Sequence, residues 1–379
     1  MFVLIFATVA ALSLTTEWGM TYSQLIPYAT PGLVAFGALA VPVGWLADKW
    51  SRENMLAIFF IGIGASSAFT ALAETPLQIG IGLFFIGVFA AIYHPVGIAM
   101  VVQGREKTGV PLAINGIFGN MGIAVAALLA GLLIDTNGWR SAFVLPGILS
   151  IGCGFAYILF IRMSHAARAA EIESGAAAKK AVAGTMTIDR NLIIRTFAII
   201  FTTTAIGGFI LRSTTFALPK IFDERLTEIA NSATLIGAYS FLVFAFAAFA
   251  QLVVGYLVDR YSIRIIFASL AALQAVFFVV MINLTELSAL LVSFGFMLVV
   301  FGQIPINDVL VGRITRSEWR SRAYALRYII TFSVAATAVP LIAWVHAEWS
   351  FDILFTVMAI GATGTFATVL FLPRAIAKS

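Results

Sequence analysis

G-W-L-A-D-K-W-S-R, from Gly44 to Arg52, and G-Y-L-V-D-R-Y-S-I-R, from Gly255 to Arg264, are two versions of one pattern. Each follows a long apolar run and ends it with the same order of groups: a glycine, an acid joined to a cation, and a closing base. A glycine lets a neighbouring helix approach closely. An acid beside a cation at the end of a membrane helix can form ion pairs across the interface between two bundles, and such pairs bias one of two states if they break when the bundles move. Gly44, Asp48, Lys49, Arg52, Gly255, Asp259 and Arg260 are therefore candidate conformational residues. A single copy reads equally well as a solvated anchor at the membrane surface. Two copies at corresponding places point to a duplicated chain.

The composition around these copies is that of a membrane protein. Of 379 residues, 61% are hydrophobic and 11% charged, against roughly 45–50% apolar and 25% charged in a soluble domain. So little charge cannot cover a water-soluble surface. One Cys and three His exclude a disulfide framework and a thiolate or histidine-rich metal centre, so no cofactor is expected. Nucleic-acid binding is excluded with them; the expected partners are the lipid bilayer and a small solute.

A helix needs about 20 apolar residues to cross the hydrocarbon. Runs of that kind lie near Tyr22 to Ala47, Met55 to Ala73, Leu77 to Val102, Leu112 to Ile134 and Ser141 to Ile161. A second series runs near Ile193 to Phe216, Ala233 to Val258, Ile265 to Ile282, Leu287 to Val309, Ala323 to Val345 and Phe351 to Leu372. The apolar start, Met1 to about Leu14, is too short to cross unaided and has no basic residue before it, unlike a signal peptide. It reads as the outer part of a first span whose beginning is missing, with a peripheral or re-entrant segment as the alternative. Counting it as the first span gives an N-terminal bundle over 1–161, a hydrophilic central loop over 162–192 and a C-terminal bundle over 193–379.

Eighteen of the 23 Lys and Arg fall in alternate loops, among them Lys49, Arg52, Arg105, Lys107, Arg162, Arg168, Lys179, Lys180, Arg190, Arg195, Arg260, Arg264, Arg313, Arg316, Arg320, Arg322, Arg374 and Lys378. The opposite loops hold only Arg140, Lys220 and Arg225. By the positive-inside rule the first set, and with it the C-terminus, is cytoplasmic.

The spacing G-x-L-A-D-K-x-x-R resembles the signature loop of the major facilitator superfamily, and the resemblance covers essentially the whole chain. It implies an all-α, polytopic fold of two six-helix pseudo-symmetric bundles in a bacterial inner membrane, acting as a monomer. It further implies a secondary transporter, coupled to protons, whose first, fourth, seventh and tenth helices line a central cavity. Departures from the family pattern are Ser51 and Glu53 within the signature, Leu83 where many proton-coupled members carry a fourth-helix Arg, and Ala126 and Ala127 where antiporters carry Gly-Pro. The runs I-Y-H-P-V-G at Ile92 to Gly97 and G-W-R at Gly138 to Arg140 resemble the branch of fosmidomycin-resistance-type exporters.

Within the spans, polar residues are few and therefore informative. Arg212 is a charge inside the seventh span, which marks a functional position by default, and its guanidinium suits a carboxylate or phosphonate. Its structural alternative is to snorkel outward or pair with Asp223, Glu224 or Glu228. His94, ahead of Pro95, is a candidate proton carrier or ligand, and Tyr93 beside it a hydrogen-bonding one. Asp308 near the end of the tenth span reads as one half of an ion pair or gate, with Arg327 its candidate partner. Gln303 and Asn307 either bind substrate or join helices. Asn115, Asn120, Gly116, Gly119 and Gly122 read as a close-packing face, and Thr202, Thr203 and Thr204 as threonines bonded to their own backbone.

A phosphate-binding loop of the Walker type does not occur in the sequence, so ATP-driven transport by this chain alone is not expected. The reading is an anion transporter working by alternating access, and no enzyme. A facilitative uniporter or channel without proton coupling is the alternative, followed by an intramembrane enzyme using His94 and Asp308.

Overall fold

A computed structural model describes residues 2–102, 109–172, 190–314 and 317–373. Arg105, Lys107, Lys179, Lys180, Arg316, Arg374, Lys378 and the middle of the expected central loop lie outside the described residues, as do the side chains of Arg168, Arg190, Arg313, Arg320 and Arg322.

Every regular element among the described residues is helical. The spans after the first are Tyr22–Lys49, Arg52–Thr70, Pro76–Val101, Ile114–Asn137, Ser141–Ser164, Ile194–Arg225, Ala233–Arg260, Ile263–Met281, Glu286–Val311, Ile329–Glu348 and Phe351–Leu370. The turns between them are set by local chemistry. Ser51, Ser232 and Ser350 accept backbone N–H bonds from Asn54, Leu235 and Asp352 at helix starts, and Thr75 with Gln78 forms a reciprocal cap, each satisfying donors a helix leaves open. At the edges of the expected 162–192 loop the structure is helical to Ile172 and again from Arg190.

The seventh span outruns its expected end by about two and a half turns, reaching Arg225 rather than Phe216. Lys220, Asp223 and Glu224 look like loop residues. On a helix they are neighbours at i, i+3 and i, i+4, and Lys220 Nζ lies 2.6 Å from Asp223 and 3.6 Å from Glu224, so the charges compensate one another.

Two spans are interrupted. The fourth stops at Ala90 and resumes at Tyr93, and the tenth stops at Gly302 and resumes at Ile304. Pro95 and Pro305 follow each break. A proline brings no N–H to the carbonyl four residues earlier, so the ladder opens there.

The chain divides into two compact units, the first comprising Met1–Thr30, Gly116–Ala142 and Met186–Ser379, the second Pro31–Asn115 and Phe143–Thr185. In the first unit the short helix Phe2–Val9 and the π-helical turn Ala10–Leu14 pack against the seventh span. Ile5, Phe6, Ala7, Val9 and Ala10 are fully buried, so this apolar start is an internal helix rather than a peripheral one. Alternate loops meet at one end of the unit. Glu17 accepts from Trp139 Nε1 at 2.7 Å and Arg140 Nη1 at 3.2 Å, Arg225 binds Asp352 and the carbonyls of Met281 and Leu284, and Thr227 donates to Glu286. At Gly138 φ is +78°, a conformation glycine adopts without strain, and the turn drops Trp139 into the interior with 2% exposure.

Also within the first unit, the fifth and eighth spans cross closely through one glycine each. A Cβ at Gly131 would strike the Ala233 carbonyl, and one at Gly237 the Ala127 carbonyl. The face expected to pack, Gly119 and Gly122, has nothing among the described residues within 4 Å of either added Cβ; the crossing lies about three turns further along.

The second unit is built the same way. A Cβ at Gly32 or Gly87 would strike the Leu83 or Gly32 carbonyl of the facing span. Ser67 and Ser150 donate at 2.8 Å to the Phe143 and Phe60 carbonyls, joining the third and sixth spans by bonds that lipid cannot replace.

Candidate functional site

Two buried polar side chains of the first unit, Gln303 and Asn307, lie on the tenth span just past its break. Just past Gly302, Gln303 Nε2 donates to Gln274 Oε1 of the ninth span at 3.0 Å. One turn on, Asn307 Oδ1 accepts from Thr203 Oγ1 of the seventh span at 3.0 Å. Next to it, Asp308 pairs with Arg327 of the helix Ser317–Glu348. Gln303, Asn307 and Arg327 are only 9%, 7% and 8% exposed, and a buried polar group is stable only when bonded. Three successive polar residues of one helix thus tie it to three different neighbours.

Gln303 and Asn307 each bond a side chain of a neighbouring helix. The pairing of Asp308 with Arg327 occurs, in place of a snorkelling Arg327. Thr203 bonds its own backbone, to the Ile199 carbonyl at 2.9 Å, and also reaches Asn307, a role that a run of three threonines gives no reason to single out. Gln274, a buried amide in an otherwise apolar span, is a signal the sequence does contain.

Arg212 stands two and a half helical turns beyond Thr203 on the seventh span, about 13 Å along the axis and on the opposite face. It forms no ion pair among the described residues. Its guanidinium carbon lies 5.5 Å from the centre of the Phe216 ring. Two acids that were its structural alternatives are otherwise engaged: Asp223 by Lys220, and Glu224 by Lys220 and by His346 Nε2 at 2.8 Å. Gly208 precedes Arg212 by one turn, at i, i+4 on the same face. An added Cβ at Gly208 would touch Thr331 of the eleventh span at 3.9 Å. Thr331 in turn donates to the Arg327 carbonyl at 3.0 Å. Gly208 and Thr331 therefore link the turn of Arg327 to the helix face of Arg212, and the Arg212 guanidinium offers a planar fork of donors to a carboxylate or sulfonate.

Tyr93 and His94 belong to the second unit. The Tyr93 hydroxyl donates to Asn115 Oδ1 at 2.7 Å, and His94 meets Phe36 and Tyr93 edge-on at 5.5 and 5.9 Å between ring centres. A Cβ at Gly44 would lie 3.1 Å from the Pro95 side chain, so the first signature glycine does admit a close neighbour. Asp48 is bound by Arg52 at 2.6 Å within the same loop, and Lys49 lies over the Trp45 ring. In the second copy an added Cβ at Gly255 would meet nothing within 4 Å among the described residues, and Arg260 stacks on Tyr256 at 4.1 Å. Cation–aromatic contacts of this kind suit a membrane surface, where ring and charge share the interface.

Among solved structures the fold matches that of a D-xylose–proton symporter with a TM-score of 0.69, over 100% of this chain and 97% of that one, at 15% identity. In sequence, 159 residues are 24% identical to a Cupriavidus necator protein described as "Probable sulfoacetate transporter SauU", covering 41% of this chain and 37% of that protein. Another 141 residues are 25% identical to a gallate transporter of Pseudomonas putida, covering 37% and 31%. The chain thus matches about a third of the length of these relatives. Residues 1–227 match the model of the Major Facilitator Superfamily, which with the helical architecture and the duplicated signature loop makes this chain a member of that superfamily.

Proposed function

We propose that this chain is a secondary transporter that carries a small organic anion across a bacterial inner membrane by alternating access between its two sequence halves, 1–161 and 193–379. The observation that carries the reading is Arg212: a guanidinium on a membrane-spanning helix, with no ion pair among the described residues, one turn beyond Gly208 on the face that meets the eleventh span. A charge kept in that setting is costly unless it meets an opposite charge in some state of the cycle. Sulfoacetate and gallate, named for the two relatives, are both anions with a planar or trigonal acidic group, the shape a guanidinium binds through two parallel bonds.

The basic loops face the cytoplasm on this reading, as does the C-terminus, and the protein works as a monomer. Protons drive the transport. Asp308, held by Arg327, is the acidic group within the described spans best placed to exchange a proton for an ion pair, with His94 the alternative carrier in the other half.

Uptake into proteoliposomes of a panel of carboxylates and sulfonates tests the proposal. Loss of one charged, bidentate contact costs roughly 1.5–3 kcal/mol, so Arg212→Ala is expected to lower transport by about 10- to 100-fold. Arg212→Lys keeps the charge without the fork and retains part of the rate. Unchanged transport in Arg212→Ala removes Arg212 from the site. Solute flux without accompanying proton movement would leave the facilitative reading standing instead.

A further inference from the structure

Tyr22, Ser23, Glu224 and His346 come from the second, seventh and eleventh spans and meet at the same end of the first unit as Trp139 and Arg225. Ser23 Oγ lies 2.8 Å from His346 Nδ1, and His346 Nε2 lies 2.8 Å from Glu224 Oε1. The Tyr22 hydroxyl donates to the Phe216 carbonyl at 3.4 Å, and its ring meets the imidazole edge-on at 5.6 Å. Beside this cluster the fifth span reaches the eighth: Asp135 Oδ2 accepts from the Thr234 N–H at 2.7 Å and from its hydroxyl at 2.5 Å. Both contacts bridge the two sequence halves, and Gly131 and Gly237 allow the backbones between them to touch.

We infer that this cluster is a latch closing one end of the first unit, and that His346 makes the closed latch tighter in acid. The step from geometry to sign is short. A carboxylate only accepts, so the neutral imidazole carries its proton on Nε2 toward Glu224, while Nδ1 accepts from the Ser23 hydroxyl. Adding a proton turns Nδ1 into a donor, and the hydroxyl rotates to accept. No bond is lost, and the bond to Glu224 becomes an ion pair of opposite charges, the stronger kind. A histidine changes charge near neutral pH, where ordinary carboxylates and lysines do not.

The other charged and titratable groups around His346 do not substitute for it. Lys220 and Asp223 on the seventh span form their own pair, Lys220 also touching Glu224. Arg225 and Asp352 pair at the start of the twelfth span. Tyr22 and, on the turn Ile26–Ala29 that packs on the same helix, Tyr28 bring phenolic side chains. Glu348 lies on the helix of His346 itself, and Asp308 is paired with Arg327 some five turns away.

The latch rests on the two-half reading of transport but is read without any solute. Spin labels on Asn137→Cys and Asn231→Cys, both exposed beside the Asp135–Thr234 contact, in a Cys153→Ser background, report the separation of the halves in nanodiscs. Between pH 8 and pH 5 the ratio of short to long distances is expected to rise roughly three- to tenfold. His346→Gln, which can still donate to Glu224 and accept from Ser23, should keep the short distance and lose its pH dependence. His346→Ala should shift the pair toward long distances at both pH values. The same pH response in His346→Gln, or a distance distribution that His346→Ala leaves unchanged, overturns the inference, whatever Arg212→Ala does to transport.

Discussion

In the fourth span the helix stops at Ala90 and resumes at Tyr93, ahead of Pro95; in the tenth it stops at Gly302 and resumes at Ile304, ahead of Pro305. These spans occupy corresponding places in the two sequence halves, so duplication has preserved the backbone device. The side chains that follow the breaks have diverged. After Gly302 come an amide, a second amide and a carboxylate, each bonded to a different neighbouring helix, the last through the charge of Arg327. After Ala90 come a phenol bonded to Asn115 and an imidazole set against aromatic rings. Interrupted membrane helices at equivalent positions expose backbone groups where a ligand or a movement can use them. Charge is a separate matter: it carries a desolvation cost at every position, and this chain places it beside only one of the two breaks.

The strongest way to break that contrast is to remove the charge from the tenth span. Asp308→Ala leaves the Arg327 guanidinium buried without its carboxylate, and breaking such a pair costs about 3–5 kcal/mol. We expect a lowered unfolding temperature and transport reduced below detection. Asp308→Asn with Arg327→Gln removes both charges and is expected to recover most of the stability but little of the transport, read by thermal melts and proteoliposome uptake. If Asp308→Ala melts like the native protein, the tenth span does not depend on its charge and the contrast fails.

Restoring the helix at each break sharpens the comparison. An interior proline costs a helix roughly 3 kcal/mol relative to alanine, so Pro95→Ala and Pro305→Ala should each leave stability unchanged or raise it. Transport is expected to fall in both, by about tenfold in Pro305→Ala, since a displacement of about 1 Å in positioned groups can cost more than that. The loss in Pro95→Ala should be smaller, because fewer side-chain bonds depend on the register beyond that break. Equal losses would mean that the backbone break itself, and not the side chains following it, limits transport.

The spans and their order were legible because apolar runs of membrane length admit few other readings. Their ends were less so. Lys220, Asp223 and Glu224 looked like a loop, since neutralisation at i+3 and i+4 becomes visible only once a helix is assumed. Packing glycines were misplaced for a related reason: clustering at Gly116, Gly119 and Gly122 is a local property, whereas the crossing through Gly131 and Gly237 depends on how two distant spans meet. The Asp308–Arg327 pair was readable because charges inside apolar spans are scarce and need partners. Thr203 and Gln274 were not, since one threonine of three and one isolated amide gain meaning only from the residue opposite. His346 and Ser23, more than three hundred residues apart, left no trace in either local sequence.

The smallest test compares two single hydroxyls. Thr203→Val removes a fully buried donor and leaves Asn307 Oδ1 without its partner in an apolar setting, which costs about 1–3 kcal/mol. Tyr93→Phe removes a half-buried donor from Asn115. Interhelical bonds in membranes average about 0.6 kcal/mol by double-mutant cycles, and the partial exposure of Tyr93 puts its loss near that value. Thr203→Val should therefore lower the melting temperature measurably more than Tyr93→Phe, with Asn307→Leu adding little once Thr203 is gone, because the two changes break the same bond. Reversal of that order would place the tighter polar joint beside the fourth-span break, and the two halves would then differ in charge alone.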